Sequence, residues 1–230
     1  MDKLRNHGYK VLLVCLLLLL ILGPLEGVRK LVQTGLFCTV LFASLIRLNP
    51  KKHITFIALG LALITAIMWS LAQLYDYPTF NAPTFHLVSI ATAIGFLCLV
   101  TYFILVDTFQ FGQINADKLC GAVCLYLLIG LIFSVVYQGC MYIDPNSLLS
   151  SVVQIDLSDQ RVEGVVTYYS FVTLSTLGYG DIYPGTTTTK TIAWMEAMIG
   201  QIYLTILVAR LVGLHIAQQT VELSSAELDE

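Results

Sequence analysis

Long apolar stretches alternate with short polar breaks along almost the whole chain. Six apolar stretches, most of them near or above the roughly 20 residues that cross a bilayer as a helix, end at charged residues, Pro or Asn. They cover residues 11–22, 31–48, 53–74, 86–106, 118–141 and 188–214. A shorter amphipathic stretch at 163–175 fits a helix of about half that length. The pattern predicts an all-α integral membrane protein with six transmembrane helices.

Composition supports a membrane protein and excludes a soluble enzyme with an anchor. Of the 230 residues, 57% are hydrophobic and 12% are charged, whereas a soluble domain of this length carries about twice that charge. The net charge of -3 gives no reason to expect nucleic acid as a partner. Six cysteines raise the alternatives of a disulfide or a metal site, but most lie inside predicted spans, where Cys acts as a small apolar residue.

The first apolar stretch has two interpretations. Three cations, Lys3, Arg5 and Lys10, precede a run that is almost entirely leucine, as in a secretory signal peptide. Residues 23–26 lack a clear small-x-small cleavage site, and the next apolar stretch follows after a few residues. We therefore expect a retained first helix.

The distribution of cations predicts the topology. Six crossings place both termini on one side of the membrane, and eight of the 12 Lys and Arg residues fall on that side. These eight are Lys3, Arg5, Lys10, Arg47, Lys51, Lys52, Lys118 and Arg210. Because cytoplasmic loops are enriched in Lys and Arg, we expect a multi-pass protein of the plasma (cell inner) membrane with both termini in the cytoplasm.

The most informative motif is T-L-G-Y-G-D at residues 176–181. Glycine tolerates positive φ, so a run with alternating glycines can turn successive carbonyls toward one axis, and a dehydrated cation needs such a cage of oxygens. The Thr176 hydroxyl and the carbonyls of Thr176, Leu177, Gly178 and Tyr179 would supply it. A Gly-rich turn is the alternative, although the full pattern rarely arises by chance.

This motif resembles the selectivity filter of the potassium-channel pore family, T-V-G-Y-G often followed by Asp, with Leu177 as its one departure. The resemblance implies a re-entrant pore helix and filter loop between the fifth and sixth helices. It implies potassium ions bound at Thr176, Leu177, Gly178, Tyr179 and Gly180. Because one chain supplies one filter strand and a closed ring needs four, it also implies a homotetramer.

Three residues near the motif match supporting positions of that family. Tyr168 and Tyr169 match aromatic residues that pack around the filter as a cuff, and the alternative is a pair of interfacial tyrosines. Asp181 matches an acid that holds the outer end of the filter. Residues 182–185 are expected to turn the chain toward the last helix.

Two residues of the last apolar stretch each have more than one interpretation. Gly200 matches a glycine at which inner helices of the family bend, but a small residue also permits close helix packing. Glu196 lies one turn earlier, and a carboxylate within a span is costly unless it is paired or faces water. It would brace the back of the filter, add charge to a cavity, or act as a protonated or hydrogen-bonded packing residue.

The remaining chain divides by similar reasoning. The fourth stretch, 86–106, contains no arginine, so residues 1–116 are expected to form a scaffold or a sensor-like bundle without gating charges. Residues 117–215 form the expected pore domain, and 216–230 a short acidic cytoplasmic tail. The resemblance is thus to a six-span, prokaryotic-type potassium channel without a voltage-sensor helix.

The expected function is passive, selective potassium conduction in contact with membrane lipid. It needs no catalytic residue and no cofactor beyond the permeant ion. The alternatives are a weakly selective cation channel and a non-conducting membrane scaffold subunit. An intramembrane enzyme is disfavoured because the four histidines lie at predicted helix ends or outside the membrane.

Overall fold

The computed structural model describes residues 8–22, 60, 63–65, 67, 82–109, 116–151 and 162–228. In that part of the chain the long elements are helices, joined by one 3-10 turn and two short strands. They are α1 (Gly8–Leu22), α2 (Ala82–Phe109), α3 (Ala116–Ile143), the 3-10 turn Pro145–Ser147, β1 (Leu148–Ser150), α4 (Val162–Leu174), β2 (Ile182–Pro184) and α5 (Thr187–Leu228).

In the part of the chain that the structure describes, three helices are long and apolar enough to cross a membrane. These segments are His86–Phe109 in α2, Ala116–Ile143 in α3 and Thr187–Gly213 in α5. The mostly helical membrane architecture predicted from hydropathy is therefore supported. The predicted stretches at 31–48 and 53–74 lie outside the described residues, apart from the helical residues 60, 63–65 and 67. Six spans accordingly remain a prediction.

The main core lies where α1, α2 and α5 pack around α3. Its buried members are Tyr9, Leu12, Leu16, Phe96, Leu97, Val100, Ile104, Cys124, Leu125, Leu128 and Tyr203. At Gly121 an added Cβ would lie 3.0 Å from the Tyr9 ring, so the small residue lets α1 approach α3 closely. Lipid tails are as apolar as these side chains, so close packing rather than water exclusion stabilises the contact.

Polar contacts join helices near the N-terminus of α3. The buried Asp117 carboxylate accepts a hydrogen bond from the Tyr9 amide at 3.2 Å and so caps the start of α1. Arg210 on α5 donates to the Thr108 carbonyl of α2 at 2.6 Å, and its guanidinium lies 4.6 Å from the centre of the Phe109 ring. These contacts join α1 to α3 and α5 to α2 at this end.

The other end of α3 leads into a small antiparallel sheet. Leu148 pairs with Pro184 and Ser150 with Ile182, so β1 runs against β2. Residues 182–185 were predicted as a turn, and Ile182–Pro184 instead forms a strand. A three-residue ladder is too short to give a period-2 hydrophobic pattern, which is why the sequence did not reveal it.

The last helix begins at a clear N-cap signal and extends further than hydropathy predicts. The Thr186 hydroxyl accepts a hydrogen bond from the Thr189 amide at 3.2 Å, as an N-cap does. Hydropathy placed the end near residue 214, whereas α5 continues to Leu228. Its last residues are mostly good helix formers without Pro or Gly, so helix propensity extends the segment beyond the apolar part.

Candidate functional site

The 176–181 loop begins directly after α4 and is folded against its last turn. The amide of Thr176 donates to the Thr173 carbonyl at 2.9 Å. The amides of Leu177 and Gly178 donate to the Val172 carbonyl at 2.9 and 3.3 Å. Carbonyls at a helix end lack partners inside the helix, so these bonds satisfy the end of α4 and fix the start of the loop.

Backbone angles alternate in sign along the loop. φ is 58° at Thr176, 57° at Gly178 and 77° at Gly180, and no other non-glycine residue in the described part of the chain has positive φ. Thr176 therefore holds a conformation that costs a residue with a side chain of order 1–3 kcal/mol. Backbone that alternates between left- and right-handed angles gathers its amides on one side and its carbonyls on the other.

The far end of the loop is held by Asp181. Its Oδ2 accepts a hydrogen bond from the Tyr168 hydroxyl at 2.8 Å, and its carbonyl accepts one from the Ser151 amide at 2.9 Å. The bond to Asp181 raises the pKa of the Tyr168 phenol, because ionisation would remove the donor and place two negative charges together. The structure thus brings together two of the predicted support residues.

Tyr169 has a different environment from its neighbour. It is buried, and its ring packs edge-on against Tyr137 of α3 with 4.9 Å between the ring centres. It shares a second core cluster with Met141, Leu148 and Val166. The two tyrosines, predicted together as a cuff, therefore have different contacts: Tyr168 bonds to the loop at Asp181, and Tyr169 packs α4 against Tyr137 of α3.

The middle of the loop is uncovered within one chain. Leu177 is 54% exposed and Tyr179 67% exposed. A Cβ added at Gly178 or Gly180 would meet no atom within 4 Å. The apolar segment of α5 is also open, with 17% of its most apolar window buried, against 39% for the segments in α2 and α3.

Gly200 lies where α5 meets the end of α4. A Cβ added there would collide with the Leu174 carbonyl oxygen and lie 3.1 Å from the Leu174 side chain. The alternative of close helix packing therefore has a direct structural basis. The helix is continuous through this position, and the predicted hinge stays a prediction.

Glu196 is fully buried and faces α3 and α4. Its Oε2 accepts a hydrogen bond from the Tyr137 hydroxyl at 2.7 Å, and its Oε1 lies 2.5 Å from Ser170 Oγ. Ser170 Oγ also lies 2.7 Å from the Gly130 carbonyl oxygen. This position fits the bracing and packing alternatives, and it does not place the carboxyl group in a water-filled cavity.

Residues 123–215 match the family model described as "Ion channel". This match supports an ion-channel pore. It extends over most of α3, both strands, α4 and the 176–181 loop, and most of α5. No curated protein and no solved structure matches the chain.

Three residues of the segment that matches the ion-channel model escaped the sequence analysis. Gln201 Nε2 donates to Thr176 Oγ1 at 3.0 Å and so contacts the start of the loop from α5. Ser170 and Tyr137 are the partners of Glu196. All three are polar residues inside apolar stretches, which is the signal that would have identified them.

Proposed function

We propose that the protein is a potassium-selective channel that conducts potassium ions passively through a filter formed by residues 176–181. The observation that carries the proposal is the alternation of positive φ at Thr176, Gly178 and Gly180 in a T-L-G-Y-G sequence. This loop lies within the segment that matches the ion-channel family. Such backbone presents a ladder of carbonyl oxygens that replaces the water shell of a potassium ion.

Four chains would surround one conduction axis. The exposed side chains of Leu177 and Tyr179, and the open face of α5, are what a chain shows when its neighbours are missing. In a homotetramer the four loops would supply rings of carbonyls from Thr176, Leu177, Gly178 and Tyr179. The ring of Tyr179 would point away from the axis and pack against the neighbouring chain.

The direction of α4 favours a cation below the filter. Residues at the end of a helix carry partial negative charge on their carbonyls, and α4 ends directly at the loop. As the proposed pore helix, α4 would therefore point its negative end toward the ion path. This contribution is electrostatic and needs no charged side chain.

Gln201 would orient the Thr176 hydroxyl at the inner end of the filter. The Thr176 hydroxyl lies 2.7 Å from the Ser175 carbonyl and accepts a hydrogen bond from Gln201 at 3.0 Å. A hydroxyl has one proton and two lone pairs, so one lone pair stays available for a potassium ion. We infer that Gln201 orients this oxygen toward the ion path.

The rest of the chain would serve the pore. Residues 1–116 form a membrane scaffold in contact with lipid, 117–215 the pore domain and 216–230 a short acidic tail. The chain would cross the plasma membrane several times with both termini in the cytoplasm. Asp181 and Tyr168 hold the outer end of the filter, where Asp181 adds negative charge near the mouth.

The reversal potential tests this function. Purified protein is placed in a planar bilayer under opposed potassium and sodium gradients. A value near the potassium equilibrium potential, with block by barium, supports the proposal. Current that reverses near zero supports a weakly selective cation channel, and a tetramer that stays silent supports a non-conducting scaffold.

A further inference from the structure

Glu196 and its neighbour Ser170 together make three short oxygen–oxygen contacts, and each contact needs a hydrogen. Tyr137 donates to Oε2 at 2.7 Å. Ser170 Oγ lies 2.5 Å from Oε1 and 2.7 Å from the Gly130 carbonyl oxygen. A hydroxyl carries one proton, so Ser170 cannot donate to both of its neighbours.

Counting protons distinguishes the two forms of the carboxyl group. If Glu196 were ionised, either the Glu196 contact or the Gly130 contact of Ser170 would bring two oxygens together without a hydrogen. If Oε1 carries a proton, it donates to Ser170, and Ser170 then donates to the Gly130 carbonyl. Only the neutral acid gives each of the three contacts its own hydrogen.

The surroundings also disfavour a negative charge. Glu196 is fully buried, and a buried charge is stable only when it is paired and hydrogen-bonded. The titratable groups that face it are the phenols of Tyr137 and Tyr126 on α3 and of Tyr169 on α4. Among the residues that the structure describes, no cationic side chain forms an ion pair with Glu196.

We propose that Glu196 is a neutral carboxylic acid that positions α4 by linking it to both α3 and α5. Its Oε1–H donates to Ser170 on α4, and its Oε2 accepts from Tyr137 on α3. Ser170 in turn donates to the Gly130 carbonyl oxygen, which belongs to the backbone of α3. Because the 176–181 loop begins at the end of α4, this network sets where the loop starts.

Infrared spectroscopy tests the protonation state without any ion flux. The difference spectrum between the unchanged protein and Glu196→Gln in liposomes at neutral pH is expected to lose the carbonyl band of a protonated carboxylic acid. Asp181→Asn, at a half-buried and hydrogen-bonded carboxyl group, is the control for bands of other acids. Loss of carboxylate bands on Glu196→Gln, with no acid band, would overturn the proposal.

Ion flux tests the positioning role, and this part rests on the proposed potassium channel. A glutamine can donate from Nε2 to Ser170 and accept at Oε1 from Tyr137, so Glu196→Gln should keep at least about half of the flux per tetramer, since it keeps both links. Glu196→Leu, which has neither polar atom, should lower flux by about tenfold or more, as expected for a buried hydroxyl left without a partner.

The two variants also separate positioning from charge. If Glu196→Gln lost as much flux as Glu196→Leu while its melting temperature stayed unchanged, a negative charge would be needed and the proposal would be wrong. If the unchanged protein conducted no potassium at all, the proposed function would fail. The infrared result would still decide the state of Glu196.

Discussion

The polar network behind α4 and the 176–181 loop differ in how complete they are within one chain. Behind α4, the polar side chains of Ser170, Tyr137 and Glu196 are buried and bonded to one another. The loop itself is held at its start by Val172 and at its end by Asp181, and its middle is uncovered. A single chain therefore builds the support but leaves the loop unfinished.

The difference follows from what each region must do. Polar groups behind a helix can be satisfied by their own chain, and burial then makes their hydrogen bonds strong. Carbonyls that bind a permeant ion must stay free of such partners. The proposed assembly of four chains would enclose the loop without occupying its carbonyls.

The largest effect is expected where the loop has no support of its own. Tyr179→Asp should abolish potassium selectivity, because an acid replaces the ring that would brace the loop against the neighbouring chain. The reversal potential should move from the potassium value toward zero. Tyr183→Asp is the matched control, since it adds the same charge at an exposed tyrosine of β2 and should leave the potential unchanged.

A smaller effect is expected from backbone angles alone. Gly178→Ala introduces no clash but forces alanine to adopt a φ of 57°. A strain of roughly 1–3 kcal/mol corresponds to about 5- to 150-fold in an equilibrium. We expect potassium flux per tetramer to fall by about that factor. Gly213→Ala, where a Cβ also meets nothing within 4 Å and φ is ordinary, should conduct normally.

Gly200→Ala distinguishes the two interpretations of that glycine. The added methyl group would push against the Leu174 carbonyl, so overpacking should destabilise the protein by about 1–3 kcal/mol. Thermal unfolding of purified protein in detergent measures this change, with Gly213→Ala as the reference. An unchanged melting temperature together with an altered open probability would favour the hinge instead.

The smallest effect is expected at the outer end of the loop, where Tyr168→Phe removes one hydrogen bond to Asp181. Selectivity should remain, and potassium current should decline faster when external potassium is lowered. Because the folded state raises the pKa of Tyr168, its stabilisation is complete below the ordinary phenol pKa and is lost as pH rises through the raised value.

Currents compared at neutral and strongly alkaline pH test the second part of this expectation. In the unchanged protein, the outer end of the 176–181 loop should lose stability only in alkaline solution. Tyr168→Phe should not show this alkaline loss. Tyr183→Phe is the control for other exposed phenols. An equal alkaline response in Tyr168→Phe and the unchanged protein would contradict the assignment to Tyr168.

Sequence alone predicted the apolar helices that the structure describes and drew attention to the 176–181 motif, because hydropathy and a glycine pattern are local properties. It did not predict the β1–β2 ladder or the extension of α5 to Leu228, since the first depends on a distant partner and the second on helix propensity rather than hydropathy. It could not tell that Tyr168 and Tyr169 have different partners. Adjacent helix positions point in different directions, and which neighbour each one meets depends on how the helices pack. The partners of Glu196 come from two other helices, α3 and α4, which sequence spacing does not bring together.

The contact between Arg210 and the Thr108 carbonyl has a consequence for how this protein tolerates mutation. The acceptor is a backbone atom, so small residues at position 108 can keep it, whereas the donor depends on one side chain. The connection between the ends of α2 and α5 is therefore robust to substitution on α2 and fragile to substitution on α5. Substitutions at position 210 should therefore break this contact, whereas small residues at the buried position 108 should keep it.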